Sequence, residues 1–239
     1  MKSRQERDLY FSSDWHGEIK TNLWNIINRY DIADANIIVC GDFGFDGFNK
    51  KSYYDDIYKK IEPKLEKNNI EIFAIRGNHD SLEYFNNDYY NYPRIKYVPD
   101  HEIMELSGKT IYPIGGAQSI DMKFRLDYNS KMEKYGSSKR IWWEDERPIK
   151  KYRDLPNKVD IIVSHEAPIS FLPVITRDSN MTEEIYNNIL EDRNYLDYIF
   201  RNIRCSRWFF GHYHCSLTSS LENVLYKCLN INELYKLNK

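Results

Sequence analysis

Short apolar runs alternate with longer amphipathic stretches along the first third of the chain, the pattern of buried strands covered by helices. Leu9–Ser13 reads as a strand. After it, Ile19, Leu23, Ile26, Ile27 and Tyr30 recur at helical spacing and predict a helix from about Glu18 to Tyr30. Ile37–Cys40 is a continuous apolar run, hence a buried strand. Tyr54–Asn68 predicts a second helix, bent or started late by Pro63. Ile70–Arg76 closes a βαβαβ opening. That order implies parallel strands, whose C-terminal ends are where open α/β sheets bind ligands.

The middle of the chain is patterned differently. Glu102–Leu106 and Thr110–Ile114 flank Ser107-Gly108-Lys109 and predict a hairpin. Residues from about 118 to 158 are polar and aromatic with little periodicity, and they read as an excursion lying over the site. Val159–Ser164 predicts another buried strand, Thr182–Arg201 a helix, and Arg207–Phe210 a strand. Leu217–Leu229 predicts one or two closing strands. No repeat or linker interrupts this order, so residues 1–239 are expected to form a single domain.

Composition narrows the class. Hydrophobic residues make up 41% of the 239 and charged residues 29%, with a net charge of −2, which favours neither disorder nor a membrane protein. The near-neutral balance supplies no general attraction to nucleic acid or anionic membrane. Leu9-Tyr10-Phe11 is too short for a secretory apolar segment, and no stretch approaches a transmembrane length. The four cysteines, Cys40, Cys205, Cys215 and Cys228, lack CxxC spacing and read as core thiols, which points to a reducing cytoplasmic location. No obligate protein partner is inferred.

The chemistry is concentrated at the strand ends. Five of the six histidines lie in Asp14-Trp15-His16, Gly77-Asn78-His79-Asp80, His165 and Gly211-His212-Tyr213-His214, with Gly41-Asp42 completing the series. Imidazole nitrogens and carboxylate oxygens are ligands for borderline divalent metals. In an extended segment, residues i and i+2 face one side, so Asp-x-His and His-x-His would each direct two ligands to one place. The glycines before Asp42, Asn78 and His212 would permit a sharp turn off the strand. The set suffices for two metal ions, with Asp42 as the bridge giving one oxygen to each. Two ions about 4 Å apart clamp a phosphoryl group and activate a water. Asp80 reads either as the carboxylate orienting His79 or as the N-cap of a following helix. His101 has no such context and reads as a surface turn residue, and Cys215 should point away from the metals.

In this order, D-x-H, G-D, G-N-H-[DE], H and G-H-x-H, the chain from Leu9 to His214 resembles the calcineurin-like metallophosphoesterases, and Gly115-Gly116-Ala117-Gln118-Ser119-Ile120-Asp121, then Arg125, with Trp142-Trp143-Glu144 behind it, looks like their small bacterial and phage members. The resemblance implies an α/β fold, a four-layer αββα sandwich with mixed sheets. It implies that Asp14, His16, Asp42 and His214 hold one metal, and that Asp42, Asn78, His165 and His212 hold the other. It makes His79 a catalytic residue outside the metal shell, whose imidazolium assists the leaving group. The expected cofactors are two divalent ions, Mn²⁺ first, with Fe, Zn²⁺ or Ni²⁺ as alternatives, because N/O ligation selects weakly among them.

The substrate is less determined. Gly41-Asp42-Phe43-Gly44-Phe45-Asp46-Gly47-Phe48 lacks the arginine of the downstream D-R-G stretch, which counts against a phosphoprotein phosphatase. Arg76 does match that branch's R-G-N-H. A silent scaffold would show a decayed motif, and none is seen. Arg125 and Arg140 are candidate phosphate ligands by bidentate hydrogen bonding. Trp142 or Trp143 is a candidate stacking surface for a base, against the alternative that both bury the excursion. The expected function is therefore hydrolysis of phosphomonoesters or phosphodiesters, with a nucleotide or nucleic-acid end as the favoured substrate.

Overall fold

In the computed structural model, alternation along β1 (Asp8–Ser12) sends Leu9 and Phe11 into one core and Tyr10 into another. Residues 7–44, 51–83, 92–137, 140–177 and 181–238 are described. The first six residues, and Phe45–Phe48 of the segment compared above with D-R-G, lie outside them. β1 pairs in parallel with β2 (Ala35–Cys40), β2 with β3 (Ile70–Ile75) and β3 with β4 (Ile95–Tyr97). A five-stranded sheet is completed by β11 (Leu234–Lys236), antiparallel to β1. A six-stranded sheet has the order β5 (Met104–Leu106), β6 (Lys109–Ile114), β7 (Ile161–Ser164), β8 (Arg207–Phe210), β10 (Val224–Cys228), β9 (Leu217–Leu221). Its strands are parallel from β6 to β10, with β5 and β9 as antiparallel edges.

Three hydrophobic clusters make these elements four layers. Between the sheets, Leu9, Phe11, Ile38 and Ile75 meet Ile111, Ile161, Val163 and Phe209. The rings of Phe11 and Phe209 stack across the join with centroids 3.8 Å apart. On the outer face of the first sheet, Tyr10, Ile37, Val39 and Ile72 pack against α1 (Ile19–Trp24) and α2 (Lys51–Lys67). On the outer face of the second, Ile162, Trp208 and Phe210 pack against α4 (Glu183–Asn202), which is capped by the Thr182 hydroxyl accepting from Ile185 N–H at 3.2 Å. Because most of these strands are buried on both faces, they read as continuous apolar runs. The αββα arrangement with mixed sheets is thus the one that the motif resemblance implies.

Several expectations are corrected. Among the described residues, the helix α2 spans Lys51–Lys67 and runs through Pro63. Losing one hydrogen bond at a proline costs about 3 kcal/mol. Burying Tyr54, Ile57, Tyr58, Ile61 and Leu65 contributes roughly 1.5–3 kcal/mol per side chain and outweighs it. The first helix passes into a π-helical turn at Asn25–Arg29, which leaves Tyr30 largely in solvent. The excursion is not structureless: α3 (Met122–Lys134) occupies its first half. That helix buries only Arg125, so it has no apolar stripe for periodicity to report. The tail Leu217–Leu229 forms two strands, β9 and β10, as expected, and one further strand, β11, follows it and returns to the other sheet. Among the described residues, no helix is long and apolar enough to cross a membrane.

Candidate active site

All five motifs emerge from the C-terminal ends of parallel strands, β1, β2 and β3 in one sheet and β7 and β8 in the other. The loops are stitched together by their backbones. Asp14 N–H donates to Gly41 C=O at 3.1 Å, His16 N–H to Asp42 C=O at 2.8 Å, and Gly211 N–H to His165 C=O at 3.3 Å. The ligands do not converge by strand alternation. Asp14, His16, Asp42, His212 and His214 all have positive φ, between 43° and 69°, a region that L-residues enter at a cost of order 1–2 kcal/mol each. The chain has left the pleat before the ligands are placed, and His-x-His divides: His214 faces Asp14 and His16, whereas His212 faces His165.

The glycines also serve differently from the expectation. Only Gly41 needs its left-handed φ of 90°. A Cβ on Gly77 would collide with the Asp42 carboxylate, and one on Gly211 with Ser13 and Asp14. Those two positions are small so that neighbouring strand ends can close on the carboxylates.

Each key carboxylate has one oxygen committed to backbone. Asp42 Oδ1 accepts His79 N–H at 2.8 Å, and Asp14 Oδ2 accepts His212 N–H at 3.2 Å. The other oxygens face the cluster. Asp42 Oδ2 lies 3.4 Å from His165 Nε2, 3.8 Å from His79 Nε2 and 3.9 Å from His16 Nδ1. A cation held by Asp42 would meet Oδ2 free of hydrogen bonds and Oδ1 already accepting one.

The remaining donors are oriented by buried partners. His165 Nδ1 lies 2.8 Å from Cys40 C=O, which directs Nε2 inward, 3.0 Å from Asn78 Oδ1. Burial opposes charge on His165, but Asp42 outweighs it and raises the pKa to about 10. His212 is held neutral, its pKa lowered to about 3 by burial and then by His165. Asn78 Nδ2 donates to Ser119 Oγ at 2.9 Å, and Ser119 Oγ donates to Glu146 Oε2 at 2.5 Å. The Glu146 carboxylate also accepts from Ser119 N–H and Gln118 Nε2. Burial pushes this carboxyl up to about 7, against the pull of the Ser119 hydrogen bonds. Ser119 and Glu146 thereby fix which end of the Asn78 amide faces the cluster. Ser119→Ala is expected to weaken metal binding by about tenfold, as loss of a partner behind a ligand does, measured by metal titration with a fluorescent competitor. Unchanged affinity would show that Asn78 needs no such support.

These donors fit divalent cations. Asp14 and Asp42 are at most 1% exposed, and neither has a Lys or Arg partner among the described residues. Buried charge of this kind requires compensation. Asp14 Oδ1 takes no hydrogen bond, although it is only 3.3 Å from His214 Nε2. His214 Nε2 is in turn 3.4 Å from His16 Nε2. Ligands about 2.1 Å from a tetrahedral ion are separated by about 3.4 Å. Three groups have ligand atoms close enough to share an ion: Asp14, His16 and His214; His16, Asp42 and His79; and Asp14, Asp42 and His165.

His79 is engaged by Arg125. The guanidinium places Nη1 3.0 Å from His79 Nδ1 and Nη2 2.8 Å from Nε2, while also donating to Ile141 C=O and to Asp121. Donors facing both ring nitrogens disfavour an imidazolium. Burial first, and Arg125 among the nearby charges, lower the His79 pKa to about 4. Burial and the guanidinium against the ring thus favour a neutral imidazole in the metal-free site. The Asp80 carboxylate accepts from the N–H groups of Gly77, Phe43 and Gly44 at 2.8–3.1 Å, tying two motif loops together.

Arg140 and Trp142 are not brought to this cluster. They line a separate hollow of about 410 Å³ with Leu126, Asn129 and Glu133 of α3, whereas Arg125 of the same helix lines the cleft over the metal ligands. Arg76 is buried and holds the carbonyls of Asp145, Glu146 and Arg147 as well as Asp100, a structural clamp. His101 is half-buried rather than a free surface residue, with ring nitrogens 2.9 Å from Tyr112 Oη and 2.7 Å from Ile149 C=O. Cys215 lies with Cys228, Sγ atoms 3.7 Å apart, outside the ligand groups. Sequence reasoning missed Ser119, Glu146 and Glu166, the last buried with Oε2 unpartnered 4.0 Å from His212 Nε2. Ser119 lies in the segment from Gly115 to Asp121 that looks like small bacterial and phage members but carries no expected role, and Glu146 sits in the unpatterned excursion.

The profile of the calcineurin-like phosphoesterases matches residues 8–216. No curated protein matches the chain by sequence. Among solved structures, it is similar to the protein TT1561 of Thermus thermophilus, at 11% identity and a TM-score of 0.51, covering 98% of this chain and 99% of that one. It is also similar to the phosphopantetheinyl hydrolase of Mycobacterium tuberculosis, at 13% identity and a TM-score of 0.47, with 96% and 92% covered.

Proposed function

The chain belongs to the calcineurin-like phosphoesterase family, and we propose that it hydrolyses phosphomonoester or phosphodiester bonds with two divalent cations held in this cluster. The observation that carries the reading is the pair of buried carboxylates, Asp14 and Asp42, ringed by histidines and lacking any Lys or Arg partner among the described residues. Asp14, His16, Asp42 and His214 would hold one ion, and Asp42, Asn78, His165 and His212 the other. Such a pair supplies an activated water and neutralises charge on the phosphoryl oxygens.

The chain's own residues supply orientation and the remaining charge. His79, beside Asp42 and outside the two ligand sets, would donate a hydrogen bond to the departing oxygen from the ring N–H, since a neutral imidazole accepts from Arg125 at one nitrogen only. Arg125 sets the ring and brings a fixed positive charge to the same side. The substrate contacts inferred from sequence were Arg125, Arg140 and Trp142; Arg125 lines the cleft, whereas Arg140 and Trp142 line the separate hollow. The test is turnover of p-nitrophenyl phosphate and its bis-ester with Mn²⁺, Fe²⁺, Zn²⁺ or Ni²⁺, before and after chelation. Full activity in the chelated protein would refute the reading.

Metal loading should depend on pH in a defined sense. The metal-free His165 binds its proton with a pKa of about 10 because of Asp42, so near neutrality a cation must displace that proton. Affinity should then rise with pH, by up to about tenfold per unit between about pH 6 and 8. Calorimetry in buffers of different ionisation enthalpy measures the proton released, and a value of zero would contradict the assignment of His165 as a ligand.

A further inference from the structure

The cleft above the ligands measures about 550 Å³, and its walls differ sharply from its floor. Beyond the metal ligands and His79, the lining residues are Ile120, Ile175, Met181 and Ile189, with Asp121, Arg125 and Tyr213. The three polar side chains are already engaged. Asp121 accepts from Arg125 Nε at 2.6 Å, Arg125 is spent on His79 and Ile141 C=O, and the Tyr213 hydroxyl donates to Glu166. A polar group entering above the ligands would meet, among the described residues, mainly apolar side chains and polar ones that already hold a partner.

The apolar surface also continues outward. A second hollow of about 440 Å³ shares Ile120 and Met181 with the cleft and is walled by Phe124 and Ile185. Ile120 is 55% exposed and Phe124 66% exposed, so both present apolar surface to a molecule lying in the two hollows.

Resting on the phosphoesterase reading above, we propose that the ester group of the substrate is apolar, an alkyl or aryl phosphoester whose organic part lies along Ile120, Ile175 and Met181 toward Phe124. With the phosphoryl group at the ligands, the rest of the molecule would extend over this surface, which continues from the cleft into the second hollow through Ile120 and Met181. A nucleoside would place its sugar hydroxyls and base edge against side chains with little hydrogen-bonding capacity to spare, and site discrimination against unpaired polar groups is strong.

The test compares n-alkyl phosphates from methyl to octyl, and the matching alkyl p-nitrophenyl diesters, with AMP and thymidine 5′-p-nitrophenyl phosphate, all on the Mn²⁺-loaded protein. kcat/KM should climb by about threefold per methylene until the outer hollow is filled, and Ile120→Asp and Ile175→Asp should flatten that slope. A flat series in the wild type, or nucleotides turned over faster than octyl esters, overturns the proposal while leaving the phosphoesterase reading intact. If no ester is turned over, that reading fails instead, and calorimetry still decides the present one. Octyl phosphate binding more tightly than AMP supports it, and the reverse order overturns it.

Discussion

Asp42→Asn is expected to lower kcat/KM by about 10³-fold or more and to cost the protein one bound cation. The reason lies in which oxygen is free. Asp42 Oδ1 accepts His79 N–H at 2.8 Å, and that donor will select the amide oxygen of an asparagine. The amide nitrogen then lands where Oδ2 now sits, within 3.4–3.9 Å of His165, His79 and His16. An NH₂ group donates and cannot ligate a cation. The substitution therefore removes the shared ligand and half of the buried negative charge in one step, and a loss of about 4 kcal/mol in transition-state stabilisation corresponds to the stated factor. Metal content by mass spectrometry and turnover of p-nitrophenyl phosphate measure the two effects. Undiminished turnover would defeat the two-metal proposal.

The second large effect is expected at His79. His79→Ala should lower kcat by about 10²–10⁴-fold, the range for a positioned proton donor or acceptor, with metal content unchanged. Arg125 donors occupy the neighbourhood of both ring nitrogens, which leaves the imidazole poorly placed to ligate although it lies close to His16 and Asp42. The two substitutions thus separate by metal content. If His79→Ala also loses a cation, the residue is a ligand and its proposed role is wrong. Because its pKa is lowered to about 4, the ring titrates well below neutrality, and the wild-type kcat profile should carry no limb near the ordinary histidine value of about 6.5 from His79. A limb there that vanishes in His79→Ala would restore the histidinium.

Much of the fold was legible because burial leaves a periodic trace. Strands β1, β2, β3, β7 and β8 are apolar on both faces, and their ends coincide with the glycine and histidine motifs. The helix α3 was invisible for the opposite reason: with only Arg125 buried, its composition carries no stripe. Pro63 misled because the rule it obeys is local, while the helix around it is held by five buried side chains facing the sheet. Trp142 was a plausible stacking residue from its type alone. The side of α3 on which a neighbouring hollow opens is a matter of packing.

The identities of the ligands and their attachment to strand ends are written in the chain, since Asp, Asn and His at those positions have few other uses in such number. Their convergence is not. It depends on two sheets stacking face to face so that strand ends from both reach one edge, on five ligand residues adopting left-handed backbone conformations, and on Gly77 and Gly211 leaving room for Asp42 and Asp14. The same holds for Ser119 and Glu146 behind Asn78, for Arg125 against His79, and for the apolar wall above the ligands. Each is a contact between residues far apart in the chain, settled by how the layers pack and by which polar groups are left without water, and a one-dimensional pattern carries no term for either.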